Sequence, residues 1–418
     1  MKSNDLLKTA KDLVYLVSCA VNGETPEKNI CDKMNLDKVL KLARNQSLSA
    51  AAAIALENAG IISGEFREEK FKAVRRLSLL NTERGKVLSK LEDSGIWYLP
   101  LKGIVLKDYY PKTAMREMSD NDILFDCEKY EEVKDIMEGL GFKCKLYGKT
   151  NHDVYEKPPQ LDFEMHRFLF DSFDDYEWYN YFKDIKSKLV KDDDSTCGYH
   201  MTNEDFYIYS VCHLYIHYKY SGIGLRSLLD LYVFNMRFGQ ALDREYLVAE
   251  LKKLGLLDFE HDVAELAGKT FSCCGLSESE NKERLFFIDS NSHGSFENHL
   301  AKNLQNDDSA NTKLKYILRR LFPSEKVLES HFPVVYRHRY LYPLLIVYRP
   351  VTVLVKKRKR IFNEVKQVKH FKKQRTGVNI INCRNKSLSS YHCFCANDCQ
   401  AASVVRFTFR NRRIVSKE

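Results

Sequence analysis

The sequence predicts an α+β fold: a small mixed β-sheet core in the middle of the chain, flanked by N-terminal helices and a C-terminal helical region. Three observations predict it. Apolar residues recur at helical spacing up to about residue 90, short strand-like apolar runs between glycine turns begin at Ile96, and helical spacing returns from about Asn203. A length of 418 residues exceeds what one core usually spans and argues for two or three domains. With 44% hydrophobic and 29% charged residues, the chain is not disordered throughout.

In residues 1–90, Leu6, Leu7, Leu13, Val14, Leu16 and Val17 lie near one helical stripe. The run LSAAAAIALENAG consists of strong helix formers and stops at Gly60, and LNTERGKVLSKLEDSG stops at Gly95. Residues 91–200 change character. IWYLPLKG reads as a buried strand entering a glycine turn, IVLKDYYP as a short helix closed by Pro111, and NDILFD as a strand led by Asp120. EKYEEVKDIMEGLG is an amphipathic helix ending near Gly141. FKCKLYG, HDVYEKP and QLDFEMHRFLF follow as three strands. Residues 201–375 return to helices, through NEDFYIYSVCHLYIHYKY, LRSLLDLYVFNMRF and REYLVAELKKLGL, with loops at Gly222, Gly224 and Gly239. Residues 376–418 form an irregular, basic tail without periodicity.

Charge is unevenly spread. The net charge is +9, yet the segment from Lys313 onward holds 25 Lys/Arg against 5 Asp/Glu, leaving 41 against 52 in the rest. A basic end on an acidic body can contact a polyanion, and otherwise reads as a solvated tail. The N-terminus has recurring charges and no continuous apolar run, unlike a signal peptide. Twelve scattered cysteines without an export signal fit reduced thiols and a cytoplasmic location. No stretch reaches the roughly 20 apolar residues of a transmembrane segment. The nearest, LYPLLIVYRPVTVLV at 341–355, is broken by Arg349 and Pro350, and its basic neighbour KKRKR makes it a buried helix end or a surface-lying segment. In the tail, His392, Cys393, Cys395 and Cys399 do not have the spacing of a common zinc finger.

The chemistry concentrates in the central region. Side chains at i and i+2 of a strand share a face, so Asp120 and Asp122 in SDNDILF present two carboxylates side by side. Two such acids repel, and a hard cation such as Mg²⁺ (or Mn²⁺) relieves the repulsion through oxygen ligands. An Asp-x-Asp pair alone is a weak signal, because solvated loops carry it too. Here it leads into the apolar run Ile123-Leu124-Phe125, with a glycine turn upstream and a second acidic strand downstream. On that second strand Asp162, Glu164 and His166 share one face, and either acid can complete a metal site or take a proton from an acceptor hydroxyl. A polar outer face of a half-buried sheet would look the same. Gly103 permits close backbone approach to a phosphate, the helix after it offers N–H groups, and Lys102 and Arg116 add positive charge. On the downstream helices His213 and His217, and likewise Arg226 and Asp230, are i, i+4 pairs. The histidines can line a cleft, pack internally or, with a third ligand, bind zinc; the Arg–Asp pair can bond to itself.

LPLKGIVLKDYYPKTAMREMSDNDILF resembles the signature of the uncharacterised nucleotidyltransferase family of the DNA polymerase β-like superfamily. That family has a strand, Lys-Gly, a short helix ending near Pro, an Arg-bearing turn and Asp-x-Asp-x-Leu. E-M-H-R at 164–167 resembles its third-carboxylate strand, which favours Glu164 over Asp162. The segment with His213, His217, Arg226 and LLDL around Asp230 resembles its downstream helices, and RRLFPSEKVL and YLYPLLIVYR its C-terminal part. The resemblance covers about residues 5–365 and is most specific at 99–125. It implies a nucleotidyltransferase core over 91–200. By that analogy Asp120, Asp122 and Glu164 are the catalytic, metal-binding acids; Lys102, Gly103 and Arg116 bind nucleotide; and His213, His217, Arg226 and Asp230 lie on the acceptor side. The implied reaction moves a nucleoside monophosphate from a nucleoside triphosphate to an unidentified acceptor, by Mg²⁺-dependent two-metal chemistry that releases pyrophosphate. One departure stands out: the superfamily's usual Gly-Gly or Gly-Ser turn is Gly103-Ile104 here, which removes a hydroxyl contact to phosphate. The alternatives are a non-catalytic polyanion or nucleic-acid binder on a degenerate nucleotidyltransferase fold, and a toxin–antitoxin component.

Overall fold

In a computed structural model of the protein, which describes residues 3–171, 176–220, 224–272, 333–343 and 345, helices pack before, against and after a five-stranded mixed sheet. The fold class is thus the α+β arrangement that the sequence patterning predicts.

The first helices are α1 (Ser3–Asn22), α2 (Lys28–Cys31), α3 (Leu36–Gln46), α4 (Ser49–Asn58) and α5 (Gly64–Asp93). Ala10, Leu13, Leu16, Val17 and Ala20 recur at three- and four-residue spacing and form the buried face of α1. The Asn35 side chain caps α3 by accepting from the Lys38 amide. Helix α4 is buried on every side, which its run of alanines permits by letting α1 and α5 approach closely. It ends where Gly60 takes a φ of +71°, a conformation glycine adopts without penalty.

The sheet follows. Strands β1 (Tyr98–Pro100), β2 (Asp120–Phe125), β3 (Lys143–Leu146), β4 (His152–Lys157) and β5 (Leu161–His166) lie in the order β1-β2-β5-β4-β3. Only the β2–β5 pair is parallel. Between β1 and β2 the chain makes the one-turn helix α6 (Gly103–Leu106) and two short 3₁₀ turns; α7 (Tyr130–Gly139) separates β2 from β3. Ile123 and Phe125 of β2, and Leu161, Phe163 and Met165 of β5, face a core shared with Leu80, Val87 and Leu91 of α5 and with Val133 and Met137 of α7. The alternate residues of β5, Asp162 and Glu164, point to the opposite face.

After the sheet come α8 (Tyr176–Phe182), the small hairpin of β6 (Val190–Lys191) and β7 (Tyr199–His200), and the helices α9 (Asn203–Tyr220), α10 (Leu225–Phe238), α11 (Arg244–Lys253) and α12 (Leu257–Phe271). These late helices share one apolar core with α1, α3 and α4. Helix α9 buries residues around much of its circumference, including Phe206, Tyr207, Ile208, Tyr209, Val211 and Cys212, so it runs through the interior. Among the described residues no helix is long and apolar enough to cross a membrane. The basic end, its polyanion contact, the tail cysteines and most of the 341–355 run lie outside the described residues, which retain a helical turn at Pro333–Arg337 and a 3₁₀ turn at Arg339–Leu341.

Candidate active site

Strand β2 begins at Asp120, and strand alternation puts Asp122 on the same face. Parallel pairing with β5 then sets Asp120 opposite Asp162 and Asp122 opposite Glu164. One ligand oxygen each from Asp120, Asp122 and Glu164 lies within 4.8 Å of the others, a separation one cation can bridge. Asp162 is not in that group. It faces Arg76, 3.5 Å away, whose guanidinium also donates to the Met118 carbonyl at 2.9 Å and to that of Ser119. Ser119 in turn donates its hydroxyl to Asp120 Oδ1 at 2.8 Å. Of the two acids on β5, the geometry brings Glu164 to the pair.

A lysine and a histidine lie against these acids. Asp122 Oδ1 accepts from Lys102 Nζ at 2.7 Å and from His166 Nε2 at 3.0 Å. The same two nitrogens lie 3.6 and 3.5 Å from Glu164 Oε2. The Asp122 side chain is only 5% exposed, so these contacts act at low dielectric. Burial opposes the charge on Lys102, but Asp122 outweighs it and holds the ammonium protonated far above its usual range. His166 is likewise raised despite burial, through hydrogen bonds to Asp122 and Glu164. Burial pushes Glu164 up, yet His166 and Lys102 together hold it well below the carboxylate range. His152 is pushed down to about 4, mainly by burial and then by His166, so its ring is neutral near pH 7.

The Lys-Gly turn is built differently from a simple phosphate cradle. Lys102 itself has a φ of +48°, a strained conformation for a residue with a side chain, and its carbonyl accepts from Val105 and Leu106. The Ile104 amide donates to Leu101. The amides of Ile104, Val105 and Leu106 are therefore spent inside the turn rather than offered to an anion. Gly103 sits in close packing: a Cβ there would meet Met118 Sδ at 2.7 Å, so a side chain would need the thioether to move.

Arg116 is buried, and its Nε donates to Asp230 Oδ1 and Oδ2 at 2.8 and 3.1 Å while Nη1 donates to the Glu117 carbonyl. The Tyr110 hydroxyl donates to the same Asp230 at 2.7 Å. Asp230 thus bonds across to the loop before β2, where the i, i+4 spacing suggested Arg226. Arg226 reaches the Glu117 carbonyl only at 3.5 Å, and its buried Nε has no hydrogen-bond partner among the described residues. Burial, then Arg116, lowers its basicity to about 10. His213 and His217 face each other, Nε2 to Nε2, at 3.1 Å; burial and His217 drive His213 well below the usual imidazole range.

A family model described as an uncharacterised nucleotidyltransferase matches residues 32–272. The chain belongs to that family. The matched span runs from the end of α2 to the end of α12, so it includes the sheet, the acidic trio and the helices carrying Arg226 and Asp230. No curated protein and no solved structure matched the chain. Nucleotidyltransferase domains generally use divalent metals and a nucleoside triphosphate, and this one holds groups of side chains able to bind a metal.

Sequence reasoning assigned no role to His152, Tyr110 or Glu117. Tyr110 adjoins Pro111 in the signature, and nothing local marks it as a partner of a residue 120 positions away. His152 leads a segment read only as a strand, and the register that sets it opposite His166 appears only in the folded sheet.

Proposed function

We propose that the protein transfers a nucleoside monophosphate from a nucleoside triphosphate to an acceptor hydroxyl and releases pyrophosphate. The observation that carries this reading is the convergence of Asp120, Asp122 and Glu164, from two parallel strands, to within 4.8 Å. An all-carboxylate donor set at that spacing fits a hard divalent ion, so these residues would hold Mg²⁺ or Mn²⁺. A bound ion supplies charge stabilisation to the phosphoryl oxygens and acidifies the attacking hydroxyl.

The residues of the chain divide the remaining work. The acceptor oxygen forms a bond to the α-phosphorus while the bond from that phosphorus to the bridging oxygen breaks, and the electron pair leaves with pyrophosphate. The acceptor proton passes to a carboxylate of the trio and on to water. His166 and Lys102 keep Glu164 ionised and weakly basic, which favours it as a metal ligand over a strong general base. Lys102 holds a fixed positive charge at the trio, ready to share phosphate negative charge. Arg226 has an under-used guanidinium and suits the triphosphate better than Arg116, whose Nε is committed to Asp230. Arg116 and Tyr110 bond to Asp230 and so position α10 and with it Arg226, while His213 and His217 line the acceptor side from α9.

The test is label transfer. The protein is incubated with Mg²⁺ and each of the four α-labelled nucleoside triphosphates, and mass spectrometry identifies what becomes modified, the protein included. Asp120→Asn and Asp122→Asn should each abolish transfer; the melting temperature should hold or rise in Asp120→Asn and fall in Asp122→Asn, which takes the countercharge from the buried Lys102 ammonium. Undiminished transfer in both variants would refute the mechanism.

A further inference from the structure

We propose that His152, Glu164 and His166 form a second cation site, one suited to a late first-row divalent transition ion such as Zn²⁺, Co²⁺ or Ni²⁺ rather than to Mg²⁺. It stands whether or not the acidic trio transfers nucleotides.

The site follows from sheet register. His152 on β4 is paired directly with His166 on β5, and Glu164 lies two residues before His166 on the same face. Cross-strand partners and i, i+2 neighbours are the two closest relations on a sheet surface, so the three side chains make a triangle. One ligand atom from each lies within 4.8 Å of the others. His166 Nε2 is 3.5 Å and His152 Nε2 3.9 Å from the Glu164 carboxylate, and the two rings lie 4.9 Å apart between centroids. Around a tetrahedral zinc with bonds of about 2.0–2.1 Å, ligand atoms sit about 3.3 Å apart. Closing the triangle therefore needs shifts within side-chain rotations, with no movement of the strands.

Donor chemistry separates this site from its neighbour. The trio of Asp120, Asp122 and Glu164 offers only hard oxygens, which suit Mg²⁺. Two imidazoles and one carboxylate suit the softer ions and leave coordination positions open. The outer contacts agree. His152 Nδ1 is hydrogen-bonded to Asn151 Oδ1 at 3.2 Å, which turns Nε2 toward Glu164. His166 is buried, and its Nδ1 has no partner among the described residues. Exchanging the proton on Nε2 for an ion gives up the hydrogen bond to Asp122, sends that proton to solvent and strands no additional polar atom. Glu164 belongs to both sites.

The experiment titrates the full-length, chelator-stripped protein with Co²⁺ in excess Mg²⁺ and without nucleotide, reading the visible ligand-field bands. Uptake of one equivalent is expected, with affinity weakened at least 10-fold in His152→Gln and retained in Asp120→Asn. In the unaltered protein the bound Co²⁺ should shift the ring signals of two histidines in proton NMR, a readout that needs no variant to fold. No uptake by the unaltered protein, equal uptake in His152→Gln, equal loss in Asp120→Asn, or absence of shifted histidine signals would each overturn the assignment. Loss of label transfer in Asp120→Asn with Co²⁺ uptake intact would separate this site from the transfer reaction.

Discussion

Replacing Asp230 by Leu removes the acceptor for Arg116 Nε and for the Tyr110 hydroxyl while keeping a side chain of similar volume. The Arg116 and Asp230 side chains are only 9% and 13% exposed, so the guanidinium is left charged and largely without water. Removing one member of a buried pair costs about 3–5 kcal/mol. Arg226, a second buried cation nearby, loses the same compensating field, which places the effect at the upper end. For a domain of this size about 2–4 °C of melting temperature accompanies each kcal/mol, giving a loss of about 6–20 °C. The assay is thermal unfolding followed by near-UV circular dichroism, with urea midpoints as a check. A cycle with Arg116→Met decides the cause. The double variant removes charge and countercharge together and should regain at least about half of the loss. A single-variant loss under about 1 kcal/mol, or strict additivity in the cycle, would refute the buried-pair reasoning.

Other consequences can be checked separately. Arg226→Met should leave the melting temperature unchanged or raised, because an under-paired buried cation is removed, while the KM for nucleoside triphosphate in the label-transfer assay rises about 10-fold. Gly103→Ala should cost about 1–2 kcal/mol through the clash with Met118, and Met118→Ala introduced alongside should show a favourable coupling of about 1 kcal/mol in urea unfolding. Glu92 accepts from the Ser195 and Thr196 hydroxyls and from Tyr98; burial opposes its ionisation, yet these bonds hold it at about 2. Its folded pKa is depressed, so its contribution is present above about pH 5 and is lost as pH falls toward 2. Unfolding free energies from denaturant titrations at pH 6 and pH 3 should differ by about 1 kcal/mol less in Glu92→Gln than in the parent, the value being small because the group is partly open to water.

Much of the site was legible because its first half is local. The i, i+2 spacing of Asp120 and Asp122, and of Asp162 and Glu164, states which acids share a face without any knowledge of the fold. Which strand β2 pairs with, and in which direction, is not local: β5 lies about 40 residues downstream and joins β2 in parallel after two intervening strands. Residue spacing alone therefore left Asp162 and Glu164 both open, and Arg76, on a helix far upstream, is what engages Asp162. Arg116 shows the same limit. Its charge and place in the signature suggested phosphate, but Asp230 sits 114 residues away and only the folded chain brings it close. The free amides expected after Gly103 are absent because α6 is a single turn that closes on the Leu101 and Lys102 carbonyls.

The 30-residue helix α5 is about 45 Å long, and its two ends lie in different apolar cores: Phe66 belongs to the core that holds α4, whereas Leu80, Val87 and Leu91 pack beneath the sheet. A continuous helix cannot lose its register at one end without disturbing the turns that anchor the other. The two cores are thereby made thermodynamic dependants of each other, and melting of the described region should proceed in a single step. Any agent that loosens the bundle of early and late helices would reach the acidic strands along this shaft, although it touches none of their side chains.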